Sequence, residues 1–235
     1  MNCTGILYGV GVGPGDPELI TVKALKTISA CRYVSFIDSG KNRKAVAYEI
    51  ARAAMPEIEK KEKIHIKIPM TADKTLMRAH HSDAFNAIGE SLKAGDSVAF
   101  LTLGDVSVYS TFGYLRKLAN EAGFQTRMIS GVPSFCAAAA AMNTDLVLGE
   151  QNLHIFCASE ANLDAFLALK GTRVLMKGPG KLPHIIKTLK EKCLDAGLVS
   201  NCGMENEVIV KPVKEMNGDE SLSYYSLIIM RDGGA

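Results

Sequence analysis

The 235-residue sequence is poor in the features that mark several large classes of protein. Its six cysteines, at positions 3, 31, 136, 157, 193 and 202, include no C-x-x-C pair. That spacing fits neither a zinc ribbon nor a disulfide framework, and free thiols with apolar neighbours imply a reducing compartment. No apolar run approaches the roughly 20 residues that a membrane helix needs; Phe135 to Met142 is the longest candidate. Neither sign of charge is in excess, with 27 Lys+Arg against 25 Asp+Glu and a formal net charge of +2. No basic stripe of the kind a nucleic-acid binder shows is present. Internal repeats and low-complexity stretches are absent. Met1 leads straight into a strand-like segment with no basic n-region or cleavage site. The expectation is a cytoplasmic protein that starts close to Met1 and has neither nucleic acid nor membrane as a partner.

What is present is the composition of an ordinary globular protein, 47% hydrophobic and 22% charged. The length corresponds to roughly one and a half average domains, enough to bury roughly 70–75% of the unfolded surface. Apolar runs alternate with amphipathic stretches. Thr4–Val12 reads as a strand buried on both faces. Pro17–Ala30 reads as a helix with Leu19, Val22, Leu25 and Ile28 on one stripe. Strands are expected at Tyr33–Ile37, Lys63–Ile68 (alternating, near an edge), Ser97–Leu103 and Thr126–Ile129. The intervening helices are Lys44–Met55, Lys74–Lys93 and Thr111–Ala122. Lys74–Lys93 carries Leu76, His80, Ala84, Ile88 and Leu92 at steps of four, and Gly95 ends it.

After Gly131-Val132-Pro133-Ser134 the pattern restarts. Helices are expected at Ser134–Met142, Leu163–Leu169 and Pro183–Ala196. Strands are expected at Leu153–Cys157, Thr172–Met176, Val199–Cys202, Val208–Lys211 and Tyr224–Met230. Such alternation forces parallel pairing with crossovers. The fold class is therefore α/β, as two tandem domains: residues 1–132 with five mostly parallel strands, and residues 133–235 with a mixed sheet.

Two loops carry the functional signal. Gly9-Val10-Gly11-Val12-Gly13-Pro14-Gly15-Asp16-Pro17 follows the first strand. It fails the dinucleotide fingerprint G-x-G-x-x-G from either starting glycine, and it fails the phosphate-loop pattern. Its glycines let the backbone approach something closely, and Asp16 caps a helix begun by Pro17. Leu103-Gly104-Asp105-Val106-Ser107-Val108-Tyr109 lies at the carboxyl end of the fourth strand, where open α/β sheets place ligands. Asp105 is placed to accept from backbone N–H groups or from a ligand, and a turn held by an Asx interaction is the plainer alternative. His80-His81 point about 100° apart on a helix, so a surface or core role is preferred to metal ligation. Met70, Met77, Met128 and Met142 read as core filler. Lys41-Asn42-Arg43-Lys44 follows the second strand, either to meet acidic groups or to start an exposed helix.

Together these segments resemble the tetrapyrrole methylases. Gly11 to Thr21 looks like that family's first signature and Gly104-Asp105-Val106 like its Gly-Asp-Pro loop, with Val106 where proline is usual. Gly131-Val132-Pro133-Ser134 and Val174-Leu175-Met176-Lys177 are similar to the third and fourth. Ile68-Pro69-Met70-Thr71, Leu103–Leu115 and Met176-Lys177-Gly178 resemble the branch that methylates carbon 20 of precorrin-2 or cobalt-factor II. Siblings acting at other ring positions are the alternative.

The resemblance implies an enzyme using S-adenosylmethionine (SAM), releasing S-adenosylhomocysteine, with the cofactor in the cleft between the domains and a homodimeric assembly. It implies cofactor contacts at Pro14, Leu103, Gly104, Asp105, Val108, Pro133, Ser134, Met176 and Cys202. A reduced tetrapyrrole supplies its own nucleophilic carbon, so neither a covalent nucleophile nor a protein-bound metal is expected. Asp105 and Tyr109 are the candidates for a proton-accepting catalytic group. Arg43 and Lys44 are the candidates for binding substrate carboxylates.

Overall fold

A computed structural model describes residues 5–38, 45–69, 73–158, 163–177, 182–192, 195–216 and 223–232. The chain divides into two compact units, Met1–Pro133 and Ser134–Ala235.

In the first unit five strands, β1 (Ile6–Gly11), β2 (Tyr33–Ile37), β3 (Glu62–Ile66), β4 (Val98–Thr102) and β5 (Gln125–Ile129), form one sheet in the order β3-β2-β4-β1-β5. Every pairing is parallel. Four helices connect them: α1 (Val22–Ala30), α2 (Val46–Ala54), α3 (Lys74–Lys93) and α4 (Phe112–Glu121). The side-chain alternation of β4 shows why both faces need cover. Ala99 and Leu101 pack with Ala24 and Ile28 of α1 and Tyr48, Ile50 and Ala51 of α2. Val98 and Phe100 pack on the other face with Ala84, Ile88 and Leu92 of α3 and Phe112, Leu115 and Ala119 of α4. A strand buried on both sides has no polar phase, hence its continuous apolar run.

Local chemistry shifts several boundaries from the sequence expectation. Pro17–Leu19 is a 3₁₀ turn capped by Asp16, whose carboxylate accepts from the Glu18 N–H at 2.8 Å. α1 starts only after Thr21, whose hydroxyl accepts from the Ala24 N–H at 3.1 Å. Leu19 and Val22 therefore do not share a stripe with Ile28, and Val22 is 66% exposed. Pro56 does not simply stop α2; it opens a second 3₁₀ turn, Pro56–Lys60. On α3 the buried stripe runs through His81, Ala84, Ile88 and Leu92, leaving Leu76 exposed. Constant steps of four drift around a helix of 3.6 residues per turn, and a mixture of three and four keeps to one face. His81 is thus the core histidine, stacked on Tyr114 with ring centroids 4.3 Å apart. Met128 is 40% exposed rather than core, because β5 is an edge strand.

In the second unit β6 (Leu153–Cys157), β7 (Thr172–Met176), β8 (Ala196–Ser200), β9 (Val208–Val210) and β10 (Ser226–Met230) form a sheet in the order β6-β7-β10-β8-β9. Only β6 and β7 are parallel; β10 runs antiparallel to both its neighbours, and β9 to β8. The helices are α5 (Ser134–Ala141), α6 (Leu163–Ala168) and α7 (Leu182–Glu191). Phe166, Ile185 and Leu189 pack with Leu175, Leu198 and Ile228 to form its core. The expected helix to Ala196 stops earlier, since Ala196 already belongs to β8 and pairs with Met230. Among the described residues, no helix is long and apolar enough to cross a membrane.

Candidate active site

The order β3-β2-β4-β1-β5 fixes where a site can form. From β1 the chain moves to β2 through α1, whereas from β4 it moves to β5 through α4, on the opposite face. The neighbours β1 and β4 therefore send their connections to opposite sides, and a crevice opens beyond their carboxyl ends. Both glycine-bearing loops begin there.

The loops are joined by backbone. The Val12 N–H donates to Thr102 O at 3.0 Å, Gly104 N–H to Gly13 O at 2.7 Å, and Gly13 N–H to Gly104 O at 3.3 Å. Gly13 (φ +83°) and Gly104 (φ +71°) both use the left-handed region, which suits glycine. A third loop, after β5, closes on them. A Cβ on Gly131 would lie 2.3 Å from Gly104 O, and a Cβ on Gly11 would lie 2.6 Å from both Gly104 O and Gly131 N. The close approach that the glycines permit is first an approach to one another.

Asp105 locks this junction. One carboxylate oxygen accepts from the Ser107 N–H at 2.7 Å and hydroxyl at 2.5 Å. The other accepts from the Gly131 N–H at 2.9 Å. Burial acts to raise its pKa, but hydrogen bonds from Ser107, Gly131 and Ser130 outweigh it and hold the carboxyl below its usual range. The Asx-type turn is therefore present, with an additional long-range partner that the sequence does not announce. With both oxygens accepting from the protein, the carboxylate holds the β4 and β5 loops together. The Asp-x-Ser spacing was a signal for Ser107; Gly131 became a partner only through the β4-β1-β5 order.

The remaining candidates fall as follows. Pro14 follows the Gly13–Gly104 bridge and is buried; Leu103 and Val108 flank Gly104–Asp105 and are half-buried. Val106, in place of the family proline, is buried with Phe100 and Phe112. Tyr109 is 42% exposed at φ +48°. Pro133 follows the β5 loop and Ser134 opens α5, both half-buried. In the second unit Met176 ends β7 and is half-buried, and Cys202 lies just beyond β8 and is buried. Arg43 and Lys44 lie outside the described residues. Among the described residues, no group of three or more His, Cys, Asp or Glu gathers as a metal would require.

This arrangement has counterparts. A family model described as Tetrapyrrole (Corrin/Porphyrin) Methylases matches residues 6–217. The chain belongs to this family. It is similar to a probable cobalt-precorrin-2 C(20)-methyltransferase of Methanocaldococcus jannaschii, 34% identical over 229 residues covering 96% of this chain and 95% of the relative. It is also similar to a cobalt-precorrin-2 C(20)-methyltransferase of Salmonella typhimurium, 29% identical over 230 residues covering 96% of each. In fold it is similar to a uroporphyrin-III C-methyl transferase from Thermus thermophilus complexed with S-adenyl homocysteine. The TM-score there is 0.70, with 21% identity over 97% of this chain and 98% of that one.

The donor set suits an adenosyl cofactor. At the β1–β4 crevice this tetrapyrrole methylase offers backbone polar groups and half-buried apolar side chains, with the buried Asp105 carboxylate already engaged. Such a lining can take up a nucleoside and a sulfonium by shape and hydrogen bonding.

Proposed function

We propose that the protein is a SAM-dependent methyltransferase acting on carbon 20 of precorrin-2 or of cobalt-factor II, its cobalt-containing counterpart. The similarity to the Methanocaldococcus relative, extending over nearly the whole of both chains, carries this reading. Both relatives described above are named for the cobalt-containing substrate, which favours that form. The cofactor supplies, when bound, a methyl group on a positively charged sulfur. In the first unit Pro14, Leu103, Gly104, Asp105, Val108 and Pro133 would hold it, largely through backbone groups. In the second unit Ser134, Met176 and Cys202 would do so, the Met176 thioether packing on the nucleoside. The macrocycle brings its own nucleophilic carbon, so these residues orient the reactants and exclude water, a contribution worth about 7–11 kcal/mol when alignment is good. Asp105 and Tyr109 are the candidates for receiving the displaced proton, Tyr109 being the more exposed of the two. Arg43 and Lys44 would receive substrate carboxylates, and homodimerisation and a cytoplasmic location belong to the same reading.

The deciding experiment supplies labelled SAM with each of precorrin-2 and cobalt-factor II. Mass spectrometry and NMR should show one added methyl, on carbon 20. A methyl at another ring position, or turnover of neither substrate, rejects the proposal.

A further inference from the structure

The two edges of the second sheet differ. β6 keeps Leu153, Ile155 and Phe156 half-buried, whereas β9, the opposite edge, leaves Val208 45% and Ile209 41% exposed. Two apolar rows cross the sheet and stop at β9. On one face Met176 lies opposite Leu227, Leu227 opposite Val199, and Val199 opposite Ile209. On the other, Leu175 lies opposite Ile228, Ile228 opposite Leu198, and Leu198 opposite Val210. Val210 packs against the core of that unit and anchors the strand. The outer edge of such a strand carries backbone N–H and C=O groups that no neighbouring strand takes up. An added strand would satisfy them and continue both rows.

The sequence around β9 specifies which strand fits. It reads Glu207-Val208-Ile209-Val210-Lys211, and alternation puts Glu207, Ile209 and Lys211 on one face, Val208 and Val210 on the other. Turned about a two-fold axis at Ile209, this segment is complementary to itself. Ile209 meets Ile209, Val208 meets Val210, and Glu207 meets Lys211. Opposite charges directly across a strand pair stabilise it, and like charges destabilise it. The Glu207 carboxylate accepts from the Gly203 N–H at 2.6 Å, which fixes it at the entry to the strand. Pro212, with no N–H to donate, ends the pairing on the far side. The β6 edge, Leu153-His154-Ile155-Phe156-Cys157, has no such acid–base symmetry.

We infer that a second copy of this chain docks on β9, antiparallel, with the two-fold axis at Ile209, so that two second-unit sheets join into one. Such an isologous pair uses up both edges and closes on itself. The shortness of β9 and the proline after it confine the pairing to this segment. The inference rests on the reading above only in taking the assembly to be a homodimer, and it holds whichever ring carbon is methylated.

Sedimentation equilibrium on the full chain tests it. One strand pair is a small contact, so the dimer should dissociate at about micromolar concentration. Glu207→Lys and Lys211→Glu each set like charges opposite one another at two places, and each should weaken the dimer about tenfold. The double variant restores complementarity and should return to within about threefold of wild type. Ile209→Cys puts two thiols across the axis with Cβ atoms about 5 Å apart. A short bifunctional thiol reagent should then link position 209 to position 209, as peptide mapping reads out. If Glu207→Lys disturbs the Gly203 turn and misfolds, Lys211→Glu and the 209 link still decide. A chain that stays monomeric at about 100 μM overturns the inference and leaves the edge to an extended strand of another protein. A dimer indifferent to the charge variants, a double variant as weak as the singles, or no 209–209 link also overturns it, the homodimer then using another face. A β9 dimer without methylation of carbon 20 would sink the proposed activity and leave this interface standing.

Discussion

Asp105 and His81 are two titratable groups inside the first unit with opposite reasons for being there. Asp105 accepts from Ser107 on its own loop and from Gly131 and Ser130 on the loop after β5. Replacing it by asparagine turns one acceptor into a donor, so either Gly131 or Ser107 faces another N–H. A buried donor left unsatisfied costs about 1–3 kcal/mol, and Asp105→Asn should lose that much stability in urea titrations. If the residue holds loops rather than accepting a proton, the variant keeps at least about one per cent of kcat, less than the 10²–10⁴-fold that removal of a general base typically costs. A larger fall at unchanged SAM affinity would restore it as a base. His81 is buried against Tyr114, and burial, then the field of His80, lowers its pKa from the ordinary 6.5. The unfolded chain therefore takes up a proton more readily than the native one. Stability contributed by neutral His81 is present above pH 6.5 and declines as the pH falls through that value. Thermal melts between pH 8 and 5 should show this decline, and His81→Phe should flatten it.

At the scale of elements, the loops after β1, β4 and β5 behave as one piece. Gly131→Ala would put a Cβ 2.3 Å from Gly104 O, a backbone atom that cannot swing aside. Gly113 offers the matched control, because a Cβ there meets nothing within 4 Å on α4. Gly113→Ala should be neutral or stabilising by about 0.5–1 kcal/mol, the helix penalty of glycine. Gly131→Ala should lower both the melting temperature and SAM affinity; equal melting temperatures would show the junction to be slack. Much of this level was legible in the sequence. β2, β6 and β7 occupy the stretches that periodicity assigns, since short apolar runs bounded by turn residues have few other solutions. α1 was misjudged because Leu19 and Val22 imitate a helical stripe while the Thr21 hydroxyl, a local cap, decides where the helix begins. The glycine motifs do fall on loops at strand ends, as the sequence pattern suggests. Their mutual contact was not legible, because it depends on β5 lying beside β1, a neighbourhood set by packing across more than a hundred residues of chain.

Over the molecule as a whole, each unit carries its own core, and the second is fastened near its carboxyl end. The Arg173 guanidinium is almost fully buried and donates to Leu167 O at 3.3 Å and Leu169 O at 2.5 Å, at the exit of α6. It also pairs with Asp232, whose other oxygen accepts from the Gly171 N–H at 2.6 Å. That backbone bond, helped by Arg173, holds the Asp232 carboxyl below its ordinary range despite some desolvation. One aspartate beyond β10 thereby ties together α6, the start of β7 and the last strand. Removing it leaves a buried guanidinium with carbonyl partners alone, which is destabilising, though a half-exposed partner softens the loss. Asp232→Asn should speed amide exchange in β7 and β10 and leave β1 and β4 as they are. Uniform acceleration in both sheets would show that the clamp is not local.

The meeting of Gly11, Gly104 and Gly131 also constrains how such a protein can change over generations. Three positions spread over 120 residues share one small volume, so an alteration at one sets what the other two tolerate. Once Gly104 has shifted to admit a Cβ on Gly131, part of the obstruction facing a Cβ on Gly11 is already gone. The double substitution should therefore cost less than its parts added together, with an interaction energy of about 0.5–3 kcal/mol. Descendants of this chain can leave the all-glycine solution only by paired steps through a damaged intermediate, a barrier in sequence space created by one carbonyl oxygen.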